Sequence, residues 1–327
     1  MSEFLAAYGL FLAQLATFVL LLIVAVLVIV ASRRRGHADG LIVEHMNRRF
    51  EDAADELKLA IEGKQLYKKA VKARQKERKR EAKARAKATS GKPRMFVLDF
   101  KGDLRATAAA SLREEVSAVL RVAKAGEQVL VRLENSGGTV HEHGLAASQL
   151  TRLKRHGLKV LIAVDKVAAS GGYLMACVAD RLYAAPFAIV GSIGVLAQLP
   201  NFHRLLEEKG VDFEQIMAGR YKRTLTMFGK NTDEGRAKLQ QEVEDIHELF
   251  KGQIREHRPQ VDLERVATGE HWYGLRALEL KLIDEIKTSD DLLLDAAQDF
   301  DLYHVTYKRR RPWQERVLGS AESLLTR

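Results

Sequence analysis

The 327-residue chain is long enough for one large domain or two small ones, and its 46% apolar and 29% charged residues exclude a wholly disordered protein. Five Pro and 23 Gly exclude a collagen-like or Pro-rich fibre, and a single cysteine, Cys177, excludes an intramolecular disulfide framework or a Cys-cluster metal site. The net charge is +10, but residues 1–94 carry 20 Lys/Arg against 10 Asp/Glu while the rest is balanced at 33 and 33. The basicity therefore describes an N-terminal arm, not a binding face on the main domain.

Residues 9–31, GLFLAQLATFVLLLIVAVLVIVA, form a run of 23 uncharged residues. As a helix it would be ~35 Å long, enough to cross a ~30 Å hydrocarbon core. A cleaved signal peptide fits poorly, because Glu3 and no Lys or Arg precede the run and its length exceeds an ordinary apolar region. The expectation is an uncleaved, single-pass transmembrane anchor. Arg33, Arg34 and Arg35 follow at once, with Arg48 and Arg49 close behind, so flanking charge places the later domain on the cytoplasmic side.

Residues 32–93 read as a basic juxtamembrane arm, helical over 40–90, where Gly is sparse and Pro absent. Between Lys64 and Arg94 there are 14 basic residues against Glu77 and Glu81, which describes a solvated stalk suited to anionic lipid headgroups. The only aromatic there is Tyr67, so nucleic acid is not an expected partner. Ser90-Gly91-Lys92-Pro93 ends the arm.

Residues 94–307 then alternate short apolar runs with amphipathic stretches. Strands are expected at Met95–Phe100, Gln128–Leu133, Lys159–Val164, Arg181–Ala184, Phe213–Met217 and Leu302–Tyr307. Helices are expected at Ala108–Ala125, Gly144–Arg155 and Gly172–Val178. A longer one starts near Asn231 or Thr232, carries Leu239, Val243, Ile246, Phe250 and Ile254 on one stripe, and stops before Pro259. The repetition of strand and helix predicts an α/β fold with a parallel sheet and crossover helices. Residues 308–327 form a basic tail.

The densest motif is VDKVAASGGY, Val164–Tyr173, where Ser170 and two glycines follow a strand and open a helix. Glycine there lets backbone N–H groups approach a developing oxyanion. A second glycine turn, Asn135-Ser136-Gly137-Gly138, leaves the preceding strand at the same sheet edge. His141 and His143 flank Glu142, but residues two apart do not share a helix face and the HExxH spacing is absent, so no metal site is expected. Cys177 reads as core, and His271 as part of a turn packed on Trp272.

Taken together, NSGG, DKVAASGGYLMACVAD, PFAIVGSIGV and GRYKRTLT resemble the SppA/SohB family of membrane-associated bacterial serine peptidases (signal peptide peptidase A type), and its SohB branch over essentially the whole chain. The resemblance implies a ClpP/crotonase-like fold and ring- or dome-shaped homo-oligomers. It also implies a Ser-Lys dyad of Ser170 as nucleophile and Lys222 as general base, whose members can come from neighbouring subunits. It gives the Gly171 and Gly138 amides as oxyanion donors, and Ser192 as a wall of the peptide site. No cofactor or metal is implied. Where the family has Ser-Pro-Gly-Gly, this chain has Asn135-Ser136-Gly137-Gly138, which frees the turn's backbone while keeping both glycines. A lysine base requires a pKa roughly 2–3 units below its usual value, by burial or neighbouring charge such as Arg220 and Arg223.

The activity so implied is hydrolysis of extended apolar or membrane-derived peptides through an acyl-enzyme. The competing expectation is a catalytically weak membrane scaffold of the same fold that binds peptides without Ser170 chemistry. Acyl-CoA thioester chemistry on this fold would call for an acidic acid/base group instead of a Ser-Lys pair.

Overall fold

A computed structural model describes residues 8–22, 39–62, 72, 76, 80 and 92–309. The second half of the 9–31 apolar run, most of the basic arm and residues 310–327 of the tail lie outside the described residues. Residues 8–22 are a helix (α1) whose Leu10, Phe11, Phe18 and Leu21 are exposed. Among the described residues no helix is long and apolar enough to cross a membrane. Helix α1 and the residues Leu41–Thr306 fall in two separate compact units.

The larger unit begins with strand β1 (Gly40–His45) and helix α2 (Met46–Glu62). This corrects the expectation of helix throughout 40–90: Leu41-Ile42-Val43 is a branched run that suits a sheet edge. Helix α2 is also tied to the last helix and strand of the described residues. Asn47 Nδ2 donates to the carbonyls of Ala297 and Phe300 at 3.0 and 2.9 Å, and its Oδ1 accepts from Leu302 N at 2.8 Å.

Then follow β2 (Arg94–Lys101), α3 (Ala109–Val122), β3 (Gln128–Glu134), α4 (Val140–Arg155) and β4 (Lys159–Val164). Next are β5 (Val167–Ala169), α5 (Gly171–Ala176), β6 (Arg181–Ala184), β7 (Ile189–Gly191) and α6 (His203–Glu208). The chain continues with α7 (Asp233–His257), α8 (Leu263–Val266), β8 (His271–Tyr273) and α9 (Gly274–Glu279). It closes with β9 (Glu285–Ile286), α10 (Ser289–Asp299) and β10 (Asp301–Lys308).

Among the described residues the main sheet has the order β1-β10-β2-β3-β4-β6-β9, with every pair from β10 to β9 parallel. Its two faces explain why the central strands are apolar throughout. Phe96, Leu98 and Phe100 of β2 join Val129, Val131 and Leu133 of β3 and Val160, Ile162 and Val164 of β4 in one core, against α3 and α4. The alternate residues Met95, Val97, Leu130 and Ala163 form the other, with Met46 of α2 and Leu293 of α10. Period-two alternation with both faces covered is the signature of a buried parallel sheet.

A smaller sheet, β5-β7-β8, pairs β5 with β7 in parallel and β7 with β8 antiparallel. This mixed α/β arrangement is consistent with the ClpP-type fold. His271 and Trp272 lie in β8 rather than in a turn, because their backbone pairs with Gly191 and Val190. Phe213–Met217 forms no strand; those residues are exposed and pair with no neighbour strand. Helix α7 begins where expected, with Thr232 Oγ1 accepting from Gly235 N at 3.1 Å. Along its stripe Leu239, Val243 and Ile246 are half-buried, and only Phe250 and Ile254 are buried.

Candidate active site

The site is built where the two sheets meet. After β3 the chain steps onto the smaller sheet: Asn135 bridges Ala168 in parallel fashion, its N donating to Val167 O at 2.9 Å and its O accepting from Ala169 N at 3.0 Å. Strands β5 and β7 run side by side with Ala169 opposite Gly191, so Ser170 and Ser192 are the next residues of adjacent strands. Both adopt positive φ, 52° and 51°, unusual for residues with a side chain. Ser170 has ψ −119° and sits on the strand-to-helix turn that opens α5. That sharp turn lifts a side chain off the sheet edge, as nucleophile turns in α/β enzymes do.

Helix α5 is pinned so that this turn is held. Ser170 N donates to Gly191 O at 2.8 Å, and Leu174 N donates to Ser170 O at 3.0 Å. Tyr173 is buried, and its hydroxyl donates to Leu282 O at 2.9 Å. Burial holds the Tyr173 phenol well above its usual pKa and pushes the Cys177 thiol up to about 12, so both act as core groups and not as acids or nucleophiles. Behind them Arg258, whose side chain is 2% exposed, makes a two-pronged ion pair with Asp284 at 2.9 and 3.0 Å. Asp284 Oδ2 also accepts from Leu182 N at 2.7 Å. Burial alone would raise the Asp284 pKa, but the bonds from Arg258 and Leu182 outweigh it and hold the carboxyl below its usual range.

The glycine turn after β3 closes over Ser170. A methyl placed on Gly137 would stand 2.8 Å from Ser170 Cβ, Gly171 N and Ala169 O, so the two turns touch through bare backbone. The fold thus brings Ser170, Gly171, Gly137 and Gly138 together. Gly171 is the first residue of α5, so its N–H has no acceptor within that helix. Gly138 N–H donates to no group among the described residues.

Lys222 belongs to a different segment of the chain. It lies exposed in a turn closed by its own N donating to Gly219 O at 3.1 Å, and among the described residues no hydrogen bond or ion pair joins it to Ser170. The neighbouring Arg220 guanidinium pairs with Glu234 at 2.7 Å. Around Lys222, residues 195–230 carry exposed apolar side chains, Leu196, Leu205 and Ile216 among them, the last 97% exposed.

Sequence reasoning overlooked one participant. His141 and His143 part company: His141 has an 80% exposed side chain, whereas His143 is fully buried and packs on Gly171. The signal available was its place in the first turn of the helix that follows the glycine turn. Among the described residues no group of three His, Cys, Asp or Glu is arranged to hold a metal.

Comparison with known proteins places the chain. Residues 3–150 match the N-terminal model of peptidase family S49, and residues 152–303 match the model of peptidase family S49 itself. The probable protease SohB of Haemophilus influenzae is 45% identical over 95% of this chain and 91% of its own. A probable protease SohB of Buchnera aphidicola subsp. Acyrthosiphon pisum is 53% identical over 71% of this chain and 69% of its own. A solved membrane-bound, stomatin-specific protease is 12% identical, covering 63% of this chain and 85% of that one with a TM-score of 0.40. A protease role comes with the family match. The chain belongs to peptidase family S49.

Proposed function

We propose that this peptidase is a membrane-anchored serine endopeptidase of ClpP/crotonase type, with Ser170 as nucleophile and Lys222 as general base. The observation that carries the reading is the positive-φ Ser170 on the turn into α5, with the Gly137–Gly138 turn laid against it. Neutral Lys222 takes the Ser170 proton as Oγ attacks the scissile carbonyl. The Gly171 and Gly138 amides stabilise the oxyanion, protonated Lys222 gives its proton to the departing amine, and Lys222 then takes a proton from the water that hydrolyses the acyl-enzyme and returns it to Ser170.

In one chain Lys222 is exposed. The exposed apolar segment around it supports assembly of a homo-oligomer, in which a second copy covers that segment and Lys222 reaches a neighbouring Ser170. Extended apolar peptides are the proposed substrates. The uncharged 9–31 run, helical with apolar side chains exposed over 8–22, supports the anchor. The arginines after it support a single-pass inner-membrane protein with its domain on the cytoplasmic side.

The experiment is phosphonylation of detergent-purified protein, read by intact mass, with wild type, Ser170→Ala and Lys222→Ala side by side. One adduct on wild type and none on either variant supports the dyad; equal labelling of Ser170→Ala refutes it. Mixing the two inactive variants tests the shared site, since restored peptidase activity requires a dyad completed between chains. The absence of any hydrogen bond or ion pair between Lys222 and Ser170 among the described residues favours a second reading, a peptide-binding scaffold. That reading gains if wild type binds peptides but is never labelled.

A further inference from the structure

We infer that His143 is a positioning residue for peptide hydrolysis, holding the Gly137–Gly138 turn against Ser170 by way of Asn135; this rests on the reading of Ser170 as nucleophile. The chain of contacts is short and enclosed. Asn135 is 1% exposed, and its Oδ1 accepts from Gly137 N at 2.9 Å, closing a side-chain turn over Ser136. The same oxygen lies 3.2 Å from His143 Nε2, and Asn135 Nδ2 points at Met175 Sδ at 3.4 Å. The Gly137 N–H demands an oxygen opposite it, so the Asn135 amide has one orientation, and His143 Nε2 is the donor in its contact. His143 Nδ1 is 2.9 Å from Thr139 O, one residue past the turn. Both ring nitrogens therefore face oxygens of the turn and of the residue just after it.

The ring also sets the other half of the site. A methyl on Gly171 would stand 2.5 Å from His143 Cγ and 2.7 Å from Cδ2, so the imidazole lies directly on the Gly171 backbone. On its far side Asn135 is backed by Gly102, where a methyl would meet the Asn135 carboxamide at 2.6–2.8 Å. One buried ring therefore touches both turns whose amides would receive the oxyanion. Asn135 and His143 together supply the stiffness that Ser136, in place of a proline, does not.

The test uses the full chain in detergent with a fluorogenic apolar peptide, comparing wild type, His143→Leu, His143→Gln, Asn135→Ala and Ser170→Ala. Leucine keeps the packing on Gly171 but has no donor, whereas glutamine keeps a donor for Asn135 Oδ1. The expected result is a kcat loss on the order of 10–100-fold for His143→Leu with KM within about twofold, and recovery to within about fivefold of wild type for His143→Gln. Equal kcat for the Leu and Gln variants, or wild-type kcat for Leu, overturns the inference. If His143→Leu does not melt cooperatively, Asn135→Ala decides: the same selective kcat loss supports the inference, and unchanged kcat overturns it. Turnover by Ser170→Ala would overturn the nucleophile reading and this inference with it. An inactive Ser170→Ala beside a fully active His143→Leu would overturn the role of His143 alone.

Discussion

Replacing Gly138 by alanine tests whether the close approach of the glycine turn to the Leu104 backbone is a structural requirement. The new methyl would overlap the Leu104 carbonyl oxygen and stand 2.7 and 2.8 Å from Leu104 C and Cα. All are backbone atoms, and that oxygen already accepts from Thr139 N at 3.0 Å, so relief requires one turn to move. Overpacking of this kind costs roughly 1–3 kcal/mol, and a side chain at an unfavourable φ adds about 1 kcal/mol. A loss of about 2–4 kcal/mol lowers Tm by roughly 5–15 °C in a domain of this size. A turn displaced from Ser170 also loses its oxyanion donor, an effect of about 10²–10³ in kcat. Gly144, six residues on, is the internal control, because nothing lies within 4 Å of a methyl built there in α4. Gly144→Ala is expected to leave kcat unchanged and to raise stability by about 0.5–1 kcal/mol. Thermal melts and peptide kinetics of both variants decide. If Gly138→Ala melts with Gly144→Ala and turns over at the wild-type rate, the packing argument and the donor assignment both fail.

Arg258→Met leaves Asp284 without its buried partner and is expected to cost about 3–5 kcal/mol in urea unfolding. Arg258→Met combined with Asp284→Leu should cost less than the single change; a larger loss would refute a pairing role. Asp99 titrates at about 2, because hydrogen bonds from His304 and Arg132 outweigh the burial that alone would raise it. Its stabilisation is complete above the unfolded carboxyl pKa of ~3.9 and disappears as pH falls through about 2; at this partly exposed site we expect about 1 kcal/mol after screening. Asp99→Asn should flatten the stability curve between those limits, and an unchanged slope would contradict the assignment. Asn47→Ala removes three hydrogen bonds that tie α2 to the C-terminal end of α10 and the start of β10. It should lower stability by about 2–3 kcal/mol, read as a fall in the urea midpoint at constant m.

The long-range frame was legible in the sequence wherever burial imposes a period. β2, β3 and β4 are apolar on both faces because helices cover both, and α7 announced itself by a cap and a stripe. The smaller sheet was hidden, since β5, β7 and β8 are three residues each (VAA, IVG and HWY) and too short to show alternation. Phe213–Met217 erred in the opposite direction: its composition favours a strand, but strand preference is a preference for a partner, and among the described residues no strand pairs with it. Ser170, Gly171 and Gly138 could be singled out because their motifs are contiguous. The part played by His143 could not, because its contact with Asn135 exists only after the chain has reversed through the glycine turn into α4.

The two proposed catalytic side chains differ in how the fold holds them, and the difference has a physical basis. The φ of Ser170 costs about 1–3 kcal/mol and persists only where its surroundings over-determine it. Here they do: Tyr173, Met175, Ala176 and Cys177 beside it are fully buried, and burying one such large side chain contributes about 1.5–3 kcal/mol. The core that anchors α5 therefore offsets the strain at its first turn, and the nucleophile geometry is complete within one chain. Lys222 has no comparable support, standing in an exposed turn among apolar side chains that no core covers. A base that must lose its charge needs water removed from around it, and the assembly proposed above would supply a covering surface. In that arrangement the Ser170 turn would be set by folding and Lys222 would be activated by assembly, so peptidase activity should rise with oligomer formation while domain stability stays constant.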